Sequence, residues 1–323
     1  MLSAAILVLA QASSSGWATA RPAECASLDG GRGANVWERA KAPQLRRYCD
    51  LLAAGAAKLA WTGARSQGGA GGAPALARAP VEAVAKEVLD IAAEADHAMP
   101  ERAGPDVLRG RALALLGKWD DARKALGDAK ARDERALDEP QSLLAWGRVL
   151  ARSGNFRDAQ DAYRALLPRA SVLAASERGA AGVEAGLLAM GRGPTGLDEA
   201  IAILRQARRD AQDVTQSFAV MILALALDRA GEPDEARAVL ADRIHADPRP
   251  ILADARVKDA LATAGAAEEG RAAAALALET LDPRAATAEW KAVADAAGTG
   301  VWVAHARKHE GRGPAKARPR VNP

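Results

Sequence analysis

The sequence predicts an all-α fold, an array of helical hairpins, and three observations predict it. Aromatic residues make up only 3% of the chain while alanine is abundant. That composition suits closely packed helices better than a sandwich or barrel, which draw on β-branched and aromatic residues. The stretch Leu143 to Pro168 (LLAWGRVLARSGNFRDAQDAYRALLP) reads as two short helices around a turn. Leu143, Leu144, Gly147 and Leu150 mark one apolar face, and Ala159, Ala162, Tyr163 and Leu166 the next. Finally, the skeleton of this stretch recurs: Gly110, Gly117 and Ala122 precede Gly147, Gly154 and Ala159 by 37 residues each.

The elements follow in chain order. Ala4 to Ala10 is a short apolar run, followed by a serine-rich stretch and Ala18-Thr19-Ala20. This fits a secretory signal peptide over 1–20, cleaved after Ala20, although no Lys or Arg precedes the run; an ordinary apolar N-terminus is the alternative. The run is too short to span a bilayer. Cys25 and Cys49 are the two cysteines, an even count that in an exported chain favours a disulfide; two unrelated thiols are the other reading. Residues 21–100 read as an N-terminal helical segment: a Gly-rich loop, a helix from Val36 to Trp61 interrupted near Pro43, a flexible linker over 62–79, and a helix starting at Pro80 and running to about Asp96.

Residues 101–300 hold the array. Its first unit carries Gly110, Gly117 and Ala122, and its second Gly147, Gly154 and Ala159, where Gly147 and Ala159 let two backbones approach closely. A third unit pauses at Gly191 and resumes at Leu197; a fourth runs Phe218 to Ile244 with Gly231 at its turn and Ala236 after it. A fifth and weaker unit runs from about Ala266 to Leu281, turns at Asp282-Pro283 and continues through Ala286, Trp290 and Val293. Residues 251–262 form a shorter helix between the fourth and fifth. A capping helix is expected over 301–310 and a disordered basic tail over 311–323.

The Gly/Gly/Ala skeleton resembles the tetratricopeptide repeat (TPR). The resemblance covers 106–296, and more loosely 36–100. It departs from the family in its spacing of about 36–41 residues rather than 34, and in having Asp106, Leu143 and Gln216-Ser217-Phe218 near the place of the family's first tryptophan. What the resemblance implies is a right-handed superhelical solenoid that binds a partner protein or peptide in a concave groove. Carried over residue by residue, the groove falls on Val107, Arg111, Leu115, Leu144, Arg148, Arg152 and Asn155, with Met221, Leu225 and Arg229 further along. Such a surface is mixed apolar and cationic, and implies a partner segment that is acidic with apolar anchors. The arginines are expected to be exposed and dispensable for stability.

No catalytic constellation stands out, so the chain reads as a non-enzyme needing no cofactor. Gly110 to Lys118 has the wrong spacing for a phosphate loop and lies inside a helical repeat. His305 and His309, four apart, share one helix face as a metal pair does, but the sequence shows no third ligand beside them. They read as a solvated pair without metal. His97 and His245 are isolated. From Arg307 onward six cations face Glu310 alone, a net +5 of the chain's total of +3 that leaves a body of −2. A near-neutral body speaks against nucleic-acid binding. The reading is a non-catalytic interaction scaffold in the periplasm or cell envelope, cytoplasmic if the leader is not genuine. The alternatives are an envelope enzyme with a helical superstructure and a basic nucleic-acid-binding module.

Overall fold

A computed structural model describes residue 25 and residues 36–66, 74–296 and 301–310. The leader, most of the 62–79 linker's centre and the basic tail lie outside the described residues. All described elements are helical: α1 (Val36–Ser66), α2 (Pro74–Ala98), α3 (Ala103–Leu115), α4 (Trp119–Arg132), α5 (Pro140–Arg152), α6 (Phe156–Leu166), α7 (Ala175–Met190), α8 (Leu197–Asp210), α9 (Asp213–Ala230), α10 (Pro233–Arg243), α11 (Arg249–Ala253), α12 (Ala255–Ala264), α13 (Ala267–Leu281), α14 (Pro283–Ala296) and α15 (Val301–Glu310). The chain divides into two compact units, 1–149 and 150–323.

One turn recurs and explains where the helices stop. Gly117, Gly154, Gly231 and Gly265 all have positive φ, between +63° and +91°, the left-handed region where a side chain is costly. In each case the next residue donates its N–H to a carbonyl five residues back: Lys118 to Leu113, Asn155 to Leu150, Glu232 to Leu227 and Ala266 to Leu261, at 2.9–3.0 Å. This closes the first helix with a Schellman bond. The carbonyl of that same residue then accepts the first bond of the following helix, from Ala122, Ala159, Ala236 or Gly270. A single residue thus ends one helix and begins the next. The small residue five positions after the glycine is buried in all four turns.

In the first unit, α1, α2 and α3 bury Tyr48, Leu52 and Leu59 against Val88, Ala92, Ala95 and Leu108. A disulfide joins Cys25 to Cys49, with Cα atoms 5.8 Å apart. It closes a loop spanning 24 residues, worth roughly 3 kcal/mol in the chain-entropy account. α1 continues through Pro43, which is exposed, and extends to Ser66, while α2 already begins at Pro74 and contains Pro80. The linker expected over 62–79 is therefore shorter. Pro43 and Pro80 each remove one rung of the ladder without ending the helix; beyond them, Tyr48 and Leu52 on α1 and Ala85 and Val88 on α2 hold one face in the core. α3 and α4 pack as a hairpin through Gly110, where an added Cβ would lie 2.5 Å from Leu126 Cγ and 3.2 Å from the Ala122 carbonyl oxygen.

The second unit has the deeper core. Along α7, Gly179, Gly182 and Gly186 sit at helical spacing, and a Cβ at each would come within 2.5–2.7 Å of Ala211, Ala207 or Leu204. The stripe lets α7 and α8 approach almost backbone to backbone. A 3-10 turn, Gly193–Gly196, carries the longer connection between them. α9 is apolar all round, and every residue from Phe218 to Asp228 is buried, packed among α7, α8, α10 and α13. A helix without a polar face belongs at the centre. α13 is likewise buried from Ala272 to Leu278, and α14 and α15 follow it with Trp290, Val293 and Ala306 turned inward.

Two expected outcomes follow. Gly110→Ala forces Leu126 out of its place and should cost about 1–3 kcal/mol, read as a lowered melting midpoint. The second concerns Glu199, gripped by Arg164 through Nε–Oε1 at 2.8 Å and Nη2–Oε2 at 2.9 Å and reached by Arg192 as well. The hydrogen bond from Arg164 holds the Glu199 carboxyl below its ordinary value of 4.5. The contribution is therefore present above that pH and is lost as the pH falls through the lowered folded value. Glu199→Gln should cost about 0.5–1 kcal/mol at neutral pH and should flatten the loss of stability measured by denaturation as the pH falls below the ordinary 4.5.

Candidate functional site

The residues assigned to a groove divide sharply in their surroundings. Arg111 is only 8% exposed. Its Nη2 donates to Gln141 Oε1 at 2.7 Å and its Nη1 to Glu139 Oε2 at 3.2 Å, while Ser142 Oγ donates to the same Glu139 oxygen at 3.0 Å. Arg152, at the end of α5, donates from Nε to Thr263 Oγ1 at 3.0 Å and from Nη2 to the carbonyl of Asp259, whose carboxylate it also pairs with. Val107 and Leu144 are buried, Arg148 is half-buried, and Leu115 and Asn155 are exposed. The expectation that these arginines are exposed and immaterial to stability is thus corrected for Arg111 and Arg152, which hold neighbouring helices. Met221 and Leu225 are fully buried, because α9 lies at the core rather than along a surface. Arg229 is largely enclosed beside them, and burial lowers its pKa against the attraction of Glu269.

The histidines on α15 also differ from their expectation as a solvated pair. The helix places His305 and His309 on one face, four residues apart, and that face packs toward the last turn of α9. There Asp228 Oδ2 lies 2.9 Å from both His305 Nε2 and His309 Nε2. The three side chains are 2%, 13% and 0% exposed in the order Asp228, His305, His309. The far side of His309 is occupied too: Nδ1 meets Glu279 Oε1, on α13, at 2.5 Å, and the same oxygen accepts from Trp290 Nε1, on α14, at 2.9 Å. The Trp290 ring stacks on His309 with centroids 4.4 Å apart and meets His305 edge-on at 5.8 Å. Four helices therefore converge on one buried polar cluster inside an apolar wall.

Its electrostatics are those of a mutually held group. Burial works to raise the Asp228 carboxyl, but hydrogen bonds from His305 and His309 overcome it and leave the carboxyl well below the usual range. Burial works to lower the His309 imidazole, and its bonds to Asp228 and Glu279 raise it instead. A further feature is a cleft of about 630 Å³ beside the 3-10 turn after α6, lined by Leu167, Pro168, Ala202 and Ile203, with the Arg178–Asp210 pair at 3.5 Å on its rim.

Sequence reading missed Asp228 as the partner of the two histidines because 81 residues separate it from His309. One signal did point to it. A lone carboxylate ends the apolar run Phe218–Leu227 near a helix C-terminus, where the backbone dipole disfavours negative charge; such a group calls for a cation.

No family model and no curated protein matches the chain. Among solved structures, the chain is similar to a chain of the crystal structure of the APC/C hetero-tetramer Cut9-Hcn1, at 15% identity and a TM-score of 0.36. The likeness covers 73% of this chain and 48% of that one, so this chain spans about half the length of its neighbour.

Arg111 supplies the test of the corrected assignment. Arg111→Glu sets a buried carboxylate against the half-buried Glu139 and should lower stability by about 3 kcal/mol, whereas Arg111→Met keeps the volume and should cost far less. Thermal unfolding of the two variants side by side measures the difference; equal midpoints for Arg111→Glu and wild type would refute the buried pairing.

Proposed function

We propose that the chain is a non-catalytic, TPR-like interaction scaffold that binds a partner protein or peptide. The observation that carries this reading is the hairpin array itself. The same glycine turn is used four times over, with the same closing bonds and a buried alanine or glycine after it, while the outward residues around it vary. A constant backbone presenting variable faces is how stacked repeats build binding surfaces. The cleft beside the 3-10 turn, about 630 Å³ with apolar walls and a charged rim, is of a size to take side chains of a peptide. Of the groove residues, Leu115 and Arg148 are the contact candidates of the first unit, with Val107, Leu144 and Arg111 behind them in packing and ion pairs; in the second unit Asn155 is exposed and Arg152 is held in its own ion pair.

The proposed place of action is the periplasm or cell envelope. The Cys25–Cys49 bridge supports it, since disulfides persist in oxidising compartments and are rare where thiols are kept reduced. No described helix is long and apolar enough to cross a membrane.

One experiment addresses both points. The tagged full chain is cross-linked in its native cells, recovered from the envelope fraction and denatured without reduction. Two findings are expected: no labelled thiol, and a discrete cross-linked protein partner that is lost with Leu115→Glu combined with Arg148→Glu in a chain that circular dichroism shows to be folded. Recovery only from the cytoplasm with two labelled thiols would overturn the location. Retention of the partner by the double variant would overturn the contact assignment.

A further inference from the structure

We propose that Asp228, His305 and His309 bind a divalent transition-metal ion, zinc by ligand type, and that this ion fastens α15 to the core of the second unit. The donor atoms are already gathered. Both Nε2 atoms stand 2.9 Å from the same Asp228 oxygen, and the three ligand atoms lie within 4.8 Å of one another. Around a tetrahedral zinc with bonds of about 2.0–2.1 Å, neighbouring ligand atoms are about 3.3 Å apart. Each oxygen–nitrogen pair needs a few tenths of an ångström of widening to take the ion.

The arrangement behind the ligands points the same way. Glu279 Oε1 faces His309 Nδ1 and already accepts from Trp290 Nε1, so the proton on His309 belongs on Nδ1, donated to Glu279. In the neutral ring Nε2 then carries a lone pair, aimed at the lone pairs of Asp228 across 2.9 Å. That approach is repulsive unless the ring takes a second proton or a metal ion lies between them. A carboxylate on the outer nitrogen of a metal-bound histidine is the common way to fix its tautomer and strengthen it as a ligand. Burial adds a charge argument. Asp228 and Glu279 bring two negative charges, which one divalent ion balances with both imidazoles neutral. Protons reach the same balance only by placing two imidazolium rings 4.8 Å apart between centroids, like charges in an enclosed site.

Ligand type narrows the metal. Two imidazoles and one carboxylate suit zinc and its neighbours; magnesium and calcium prefer oxygen-only shells. The enclosure narrows the role. Asp228 and His309 are sealed, and Trp290 covers one side. His305 is slightly more open, so a water completing the shell would enter on its side. An ion held here links α9 to α15 across 81 residues of chain, which is the work of a structural clamp.

The test uses untagged full-length chain, stripped with chelator and titrated with zinc, with cobalt as a spectroscopic stand-in and magnesium as control. The expected result is one equivalent of zinc at submicromolar dissociation constant by calorimetry, an intense visible cobalt band, no magnesium binding, and at least tenfold slower amide exchange over 301–310. Glu279→Gln should weaken zinc about 10- to 100-fold, and His305→Ala, at the most open ligand, by more. Circular dichroism verifies that each variant is folded; should Asp228→Asn not fold, His305→Ala still decides. Absence of zinc binding to wild type, or unchanged affinity in folded His305→Ala, overturns the site. Stoichiometric binding without slower exchange over 301–310 overturns the clamp.

Discussion

The structure depends on a turn in which one backbone residue serves two helices. A left-handed glycine lets the next N–H reach back to the finished helix, and the carbonyl of that next residue starts the new one. Few other residues tolerate that φ. The small residue at the fifth position after the glycine is forced by the same geometry: it enters the second helix on the side facing the first, where the two backbones are nearest. Gly117/Ala122, Gly154/Ala159, Gly231/Ala236 and Gly265/Gly270 are four solutions to one constraint.

Close approach also shapes how the core is stabilised. Alanine and glycine bury little apolar area each, and large side chains are few. The compensation is density. Gly179 meets the backbone of Ala211, just past α8, while Gly182 and Gly186 meet the side chains of Ala207 and Leu204, and dispersion acts over many atom pairs. Cores of this kind tolerate added methyl groups poorly, because there is no flexible side chain to move aside when the neighbouring atom is backbone.

Much of this was legible in the sequence. Gly110/Gly117/Ala122 and its copy 37 residues later located the hairpins, and Pro, Gly and Asp located most helix ends. The fourth instance of the turn passed unread because Gly270 stands where the others have alanine. Helix extents at Pro43 and Pro80 differ from the reading, since a proline in the first turns of a long helix removes one rung without ending it. The candidate site was half legible: His305 and His309 announced a shared face, but Asp228 and Glu279 reach them only through the stacking of α9, α13 and α15. The burial of Arg111 was hidden for a related reason. Its register matched a surface position, and only the folded chain brings Glu139 and Gln141 to it.

The 81-residue span from Asp228 to His309 has a consequence for the order in which the chain matures. Hairpins close over short stretches and form early, so α9 can be enveloped by its neighbours while the residues of α15 are still to come. In that interval the Asp228 carboxylate sits at the edge of an apolar core with its imidazole partners not yet delivered, and an enclosed unpaired charge is costly. The second unit therefore finishes folding from its far end. Synthesis that halts before His305 leaves a species that is nearly fully helical, yet carries a loosened core and exposed alanine-rich faces of the kind that associate with one another.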